Sequence, residues 1–360
     1  MTRLVLIGGG HAHAWTLLRL RSYISRSLEV RVLSPGPSHT YSGMVPGVVA
    51  GHYDAAEAQI DLAYLAREAG AELVRNCALA LDPDGKRVLL ADGATIDYDV
   101  ASLNVGSLPN FGGVPGAASH AVGVKPFDAF FARWREVLSR ASSSTRVAVV
   151  GGGAAGVEIA MAMKHALAGR GDGTVVLYSD RSTFPAHVGR RVARALATRG
   201  VEVRAGIAVR EVEAGPCVVT EAAREPCDAV FWTAGAAAQP WIAGAGLATD
   251  SGGYALVDAS LRSVSHPDIF AAGDTAALQD HALPKSGVYA VRQAAVLAEN
   301  LKRVVRGAPM LDYEPQRDFL VLLACGDRYA IASRGGWSAE GRWAWWWKDW
   351  IDRRWMRRFR

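Results

Sequence analysis

About 18 consecutive apolar residues mark a membrane-spanning helix, and no run of that kind occurs in this 360-residue chain. Cysteine is scarce. Cys77, Cys217, Cys227 and Cys325 are the complete set, and none are spaced as C-x-x-C or C-x-x-x-x-C. That spacing excludes a zinc knuckle and an adjacent redox dithiol, so no metal site is expected. No charged-then-apolar leader and no small-residue cleavage site precede the first strand pattern at about residue 3. The expectation is a cytoplasmic protein with free thiols. Basic charge is also missing over most of the length. The formal net charge is +5, but residues 342–360 alone hold seven basic and two acidic residues, which is the whole excess. A balanced body with a basic tail is not the footprint of a nucleic-acid-binding domain. Half the residues are hydrophobic and 21% are charged. That is ordinary globular composition, with length for two or three packed units.

What is present is glycine in two particular places. Gly8-Gly9-Gly10-His11-Ala12-His13 follows the apolar run Leu4–Ile7, and Gly151-Gly152-Gly153-Ala154-Ala155-Gly156 follows Val147–Val150. Each sits between a strand pattern and a helical pattern, the context of a dinucleotide-binding turn. In the second, Gly151, Gly153 and Gly156 serve the tight turn, the close approach to a pyrophosphate and the helix–strand contact. In the first, Gly8 and Gly10 are present but His13 stands where the third glycine would be. His11 and His13 either pack or face a cofactor. The next strand pattern ends at Ser34, without the acidic partner that usually meets a ribose.

Strands are expected at 3–7, 29–34, 146–150, 174–178, 201–205 and 229–235. Helices are expected near 12–25, 61–70, 127–140, 154–168, 187–199 and 286–304. Residues 34–46 read as a long Pro/Gly/Ser loop, 71–100 as short strands with a turn at 82–85, 319–333 as a hairpin and 342–359 as a basic, tryptophan-rich tail.

Two dinucleotide turns, the strand end Thr233-Ala234-Gly235 and the block Ile269-Phe270-Ala271-Ala272-Gly273-Asp274 resemble the two-dinucleotide flavoproteins. That family includes the pyridine nucleotide-disulfide oxidoreductases and the type II NADH:quinone oxidoreductases. More narrowly, Gly8–His13, Tyr41–Pro46 and Trp347–Asp352 resemble the flavoprotein module often fused ahead of selenide, water dikinase, although the chain has no room for the kinase. The resemblance covers essentially the whole chain. It implies an α/β fold of two Rossmann-like domains, the second inserted in the first, plus a small C-terminal extension. The FAD domain would take residues 1–120 and 236–310, the NAD(P) domain 121–235, and the extension 311–360.

The resemblance also implies site residues. Gly8 and Gly10, with His11 and Ser34 beside them, would meet the FAD, and Gly273 and Asp274 would serve its ribityl chain or pyrophosphate. Ala78 would lie along the adenine, Gly106 near the FAD, and Met44 in the loop bordering the flavin. Lys285, Ser286 and Gly287 open a helix aimed at the flavin ring, where a helix N-terminus stabilises negative charge. Lys285 fits that role or that of a surface lysine. Glu158 stands where relatives carry a glutamate near the nicotinamide; the alternative reading is a helix-surface acid. Ser179-Asp180-Arg181 offers an acid for NADH and an arginine for a 2′-phosphate; NADH is preferred. Tyr41–Pro46 lacks the cysteine pair of the disulfide reductases, so direct transfer through the flavin is expected.

The expected activity is hydride transfer from NADH or NADPH to FAD, then electron transfer to a second acceptor, with a membrane quinone leading. Oxidation of a sulfide- or selenide-like species, and a flavin-bearing module serving a selenium-metabolism partner, are the alternatives. Seven of the eleven tryptophans fall from residue 337 onward. On a helical wheel Trp343, Trp346, Trp347 and Trp350 share one face, and Trp345, Trp355, Met356 and Phe359 the other. Trp with Arg and Lys suits the inner face of the cell membrane, so one section is expected on protein and the other on lipid; the alternative is a helix docked wholly on its own domain or on a partner.

Overall fold

The structure, a computed structural model, describes residues 1–21, 23, 28–181 and 183–360. Two five-stranded parallel sheets organise it. The first has the order Ile269–Ala271, Val100–Leu103, Thr2–Ile7, Leu28–Ser34, Glu72–Arg75. The second has the order Ala121–Gly123, Ala229–Trp232, Arg146–Val150, Thr174–Ser179, Glu202–Ala205. Parallel strands covered on both faces carry apolar side chains at successive positions, which is why Leu4–Ile7 and Val147–Val150 read as unbroken runs and are buried. In both sheets the glycine turn leaves the central strand, at the point where ligands bind in doubly wound folds. The second sheet is inserted between residues 103 and 269 of the first.

Helix His11–Leu20 follows the first turn and packs against the long helix Gly287–Arg306. The end expected for the first helix, near residue 25, falls partly on 22, 24 and 25, outside the described residues. Helix Leu62–Ala69 begins where Asp61 accepts from the Tyr64 N–H and ends at Gly70 in the left-handed region, the capping chemistry of its ends. The long loop after Ser34 is more ordered than its composition suggested. It forms a strand at Ser38–Thr40 paired with Gln59–Asp61, a 3-10 turn at Ser42–Met44 and a helix at Val45–Val49 with Pro46 in its first turn. An antiparallel sheet of Glu211–Glu213, Cys217–Val219 and Arg224–Pro226 was not expected from the sequence.

At the C-terminus the hairpin of Val321–Ala324 and Ala330–Arg334 gains a third strand, Trp337–Gly341. Helix Arg342–Met356 follows. This segment joins both cores: Leu323, Cys325 and Ile331 pack with the second sheet, and Trp355, Met356 and Phe359 with the first. Among the described residues no helix is long and apolar enough to cross a membrane.

Candidate active site

In the second turn Gly151 has φ +125°, and a Cβ there would lie 2.6 Å from Thr233 Oγ1. A Cβ on Gly156 would lie 1.8 Å from the Gly151 carbonyl, so helix and strand meet with no space for a side chain. Gly153 is the opposite case: the nearest atom to a Cβ there is 4.0 Å away. Gly153 is also the N-cap of helix Ala154–Ala168 and carries no side chain to cap it. Open space before uncapped N–H groups fits a pyrophosphate. Ser179 lies against Gly152, and its hydroxyl donates to the Arg181 carbonyl at 2.8 Å. Asp180 and Arg181 are both exposed at this strand end, where a ribose would arrive.

The first turn is held differently. Gly8 has φ +96°, and a Cβ on Gly8 or Gly10 would run into Asn104. Asn104 Oδ1 accepts from the Ala12 N–H at 3.1 Å, while its Nδ2 donates to the Ala272 carbonyl at 2.7 Å. One buried amide therefore ties the first helix to the Gly273-Asp274 block. His13 fills the third-glycine position as a structural brace: its Nδ1–H donates to the Gly8 carbonyl at 2.6 Å, and Nε2 accepts from Ser102 Oγ at 2.8 Å. His11 is buried against His39 and Tyr41. Burial pushes both His11 and His13 down to about 4. Ser34 Oγ faces Gly9.

Around Asp274, the Lys125 ammonium donates to Oδ2 at 2.9 Å and the Ser107 hydroxyl at 3.1 Å. Gly106, at φ +72°, has nothing within 4 Å of a Cβ and donates its N–H to Thr275 Oγ1. The Gly273 N–H donates to Gln293 Oε1 at 2.7 Å. A cavity of about 470 Å³ opens here, lined among others by Gly273, Asp274, Lys285, Ser286 and Tyr289. Ser286 is the uncapped N-cap of helix Gly287–Arg306. Lys285 is turned aside: its ammonium donates to the Ala276 carbonyl and lies 3.6 Å from the Tyr254 ring centre, and burial lowers its pKa. The loop expected at the flavin edge reaches this helix, because a Cβ on Gly287 would lie 3.2 Å from Ser42 Oγ. Met44 of that loop is buried in the first core.

The structure thus gathers Gly8, Gly10 and Gly273 around Asn104, with Ser34 against Gly9, Gly106 bonded to Thr275 and Asp274 to Ser107, and Gly151, Gly153, Gly156 and Ser179 around the second turn. Ala78 stands apart on the hairpin strand Ala78–Asp82, paired with Leu90. Gly235, at φ +66°, abuts Asn110 beyond the end of the last strand of the second sheet. Glu158 is tied to the C-terminal unit, where its Oε1 accepts from the Ala324 N–H at 2.7 Å. Burial pushes its carboxyl up to about 7, against the pull of the Lys348 ammonium. Sequence reasoning missed Asn104, Lys125, Gln293 and Lys348. Only Asn104 left a trace, a lone amide in the apolar run before Gly106.

Residues 2–295 match the model of the pyridine nucleotide-disulphide oxidoreductases. The chain belongs to that family. An NADH dehydrogenase-like protein of Mycobacterium tuberculosis is 31% identical over 300 residues, covering 77% of this chain and 73% of the relative. The alternative NAD(P)H-ubiquinone oxidoreductase C1 of Arabidopsis thaliana is 27% identical over 367 residues, covering 87% and 69%. Among solved structures, the sulfide:quinone oxidoreductase of Aquifex aeolicus shares the fold at a TM-score of 0.82 and 19% identity, over all of this chain and 92% of that one. The protein is an oxidoreductase of the flavin and NAD(P)H type. The chain's own geometry fits both groups: open cradles at Gly106 and Gly153, uncapped helix N-termini at Gly153 and Ser286, and positive-φ glycines at each turn.

Proposed function

We propose that the protein takes hydride from NAD(P)H at the second turn, onto FAD held by the first, and delivers the electrons to a membrane quinone. Bound flavin supplies a two-electron carrier between a hydride donor and the acceptor. The chain's part is to hold the two dinucleotides with separate turns and to present the site to a membrane. The two faces of helix Arg342–Met356 carry this reading. Trp346 and Trp350 are 51% and 53% exposed, with Trp343, Trp347 and Trp337 also exposed, whereas Trp345 and Trp355 are buried. Arg342, Arg354, Arg357, Arg358 and Arg360 are exposed in this segment, with Arg354 over the exposed Trp350 ring and Arg358 over Trp355. Each basic residue near an anionic surface contributes about 1 kcal/mol, and indoles favour the interface. Relatives named as NAD(P)H-ubiquinone oxidoreductase and demethylphylloquinone reductase support quinone as the acceptor class.

A sulfide- or selenide-type reaction is less favoured, because the cysteines are poorly placed for it. Cys325 is buried, and burial pushes its thiol up to about 12; Cys217 lies in the small sheet of the second unit and Cys227 just after its last strand, and Cys77 is exposed on the first. The test is co-sedimentation with vesicles of phosphatidylglycerol carrying a quinone. Trp346, Trp347 and Trp350 changed together to Ser should leave the flavin bound while abolishing pelleting. Pelleting equal to the wild type refutes the docking face.

A further inference from the structure

The inner face of helix Arg342–Met356 carries Lys348 and Asp352, one turn apart and both nearly closed off from solvent. The Lys348 ammonium donates to Asp352 Oδ2 at 2.7 Å and to the Gly43 carbonyl at 2.6 Å. The Tyr41 hydroxyl donates to Asp352 Oδ1 at 3.1 Å. Gly43 and Tyr41 belong to the loop that meets the N-terminus of helix Gly287–Arg306. Glu158, from the helix of the second turn, has the Ala324 N–H as its hydrogen-bond donor, while Lys348 gives its hydrogen bonds elsewhere. The other charged or titratable groups facing this cluster are Asp349 and Arg353 on the same helix, Tyr53 beyond the loop and Cys325 on the C-terminal sheet. Asp349 and Arg353 pair with each other at 2.9 Å. Lys348 and Asp352 therefore balance, and an ionised Glu158 would be an uncompensated buried charge.

We propose that Asp352 is a positioning residue: it holds the Lys348 ammonium on the Gly43 carbonyl and apart from Glu158, leaving the Glu158 carboxyl without a cationic hydrogen-bond partner and able to hold a proton. The proposal rests on the two-site reading above. Passing a hydride from NAD(P)H to a quinone consumes one further proton, and a buried carboxyl whose proton is held more tightly than that of a free glutamate is a place to keep it. Without the Asp352 charge, the ammonium is free to stabilise the Glu158 carboxylate. Without Lys348, that stabilisation vanishes. The two substitutions therefore move Glu158 in opposite directions, which damage to packing alone does not do.

The experiment is an infrared pH titration of the flavin-loaded protein without nicotinamide. The Glu158 carboxyl band is identified as the one lost in Glu158→Gln. In Asp352→Asn its midpoint should move about one pH unit towards acid; in Lys348→Met it should move towards alkali by a similar amount. An unmoved midpoint in Asp352→Asn, or shifts of the same sign in both variants, overturns the proposal. Failure of NADH or NADPH to bleach the wild-type flavin would instead overturn the two-site reading, whatever the infrared result. If Asp352→Asn releases its flavin, Asp352→Glu takes its place: with the charge kept, the Glu158 midpoint should stay where the wild type has it, and an acid shift of about one pH unit there overturns the proposal.

Discussion

The two glycine turns occupy equivalent places in two similar sheets, yet they are stabilised by different chemistry. The second relies on absence of side chains: Gly156 lies against the Gly151 carbonyl, and Gly153 faces open space. The first relies on polar side chains that fill equivalent gaps, His13 between Gly8 and Ser102 and Asn104 between the first helix and Ala272. A turn built on glycine is free to accept and release a visiting nicotinamide. A turn bolted to a distant segment by a buried amide and an imidazole suits a resident cofactor. The comparison shows that a motif missing its last glycine need not be a degraded site.

The largest effect is expected from filling the open cradle. Gly153→Val should slow flavin bleaching by NADH about 100-fold or more, because it obstructs productive placement of the nicotinamide, while flavin absorbance remains. Stopped-flow absorbance reads both, and loss of the flavin in this variant would break the division of labour between the turns. Next, Asn104→Ala removes two strong buried hydrogen bonds at about 1 kcal/mol each and strands their partners. Flavin occupancy and thermal stability should fall together, whereas Gly153→Val should change neither.

A smaller, pH-dependent difference follows from the histidines. His11 and His13 have folded pKa values near 4, below the ordinary 6.5. The unfolded chain therefore takes up protons first, so their contribution is intact above about 6.5 and is lost as pH falls towards 4. Flavin fluorescence should report release in that window, and His11→Gln with His13→Gln should blunt it. Glu158 has the opposite sign. Its pKa is raised from 4.5 to about 7, so stability declines as pH rises across that interval, and Glu158→Gln should flatten the decline in thermal melts. The smallest effect should come from replacing all four cysteines with Ala or Ser, which should leave NADH-driven bleaching unchanged; its loss with flavin retained would point to thiol chemistry.

Much of the fold was legible because it rests on local pattern. The apolar runs before the two turns and the periodicity of 154–168 and of about 286–304 were written into neighbouring residues. So was the division of the tail into two tryptophan faces, since period 3.6 sorts Trp346 and Trp350 from Trp345 and Trp355 without tertiary information. What was not legible depends on contacts between distant segments. Lys125 reaches Asp274 from the other unit, and Lys348 reaches Gly43 from the far end of the chain. The basic excess of the tail was legible as a sum but not by location: Lys348 is spent on Asp352, and Arg353 on Asp349 and Glu57, so only part of that charge faces outward.

The central claim is that two dinucleotide sites act in series, with the acceptor reached at a membrane surface. Anaerobic mixing of the FAD-loaded protein with NADH or NADPH, followed by vesicles carrying a quinone, tests it most directly. The account predicts that the flavin band bleaches on the first addition and returns on the second. A band that fails to bleach with either nicotinamide, or that bleaches and does not return when the quinone vesicles are added, would contradict it.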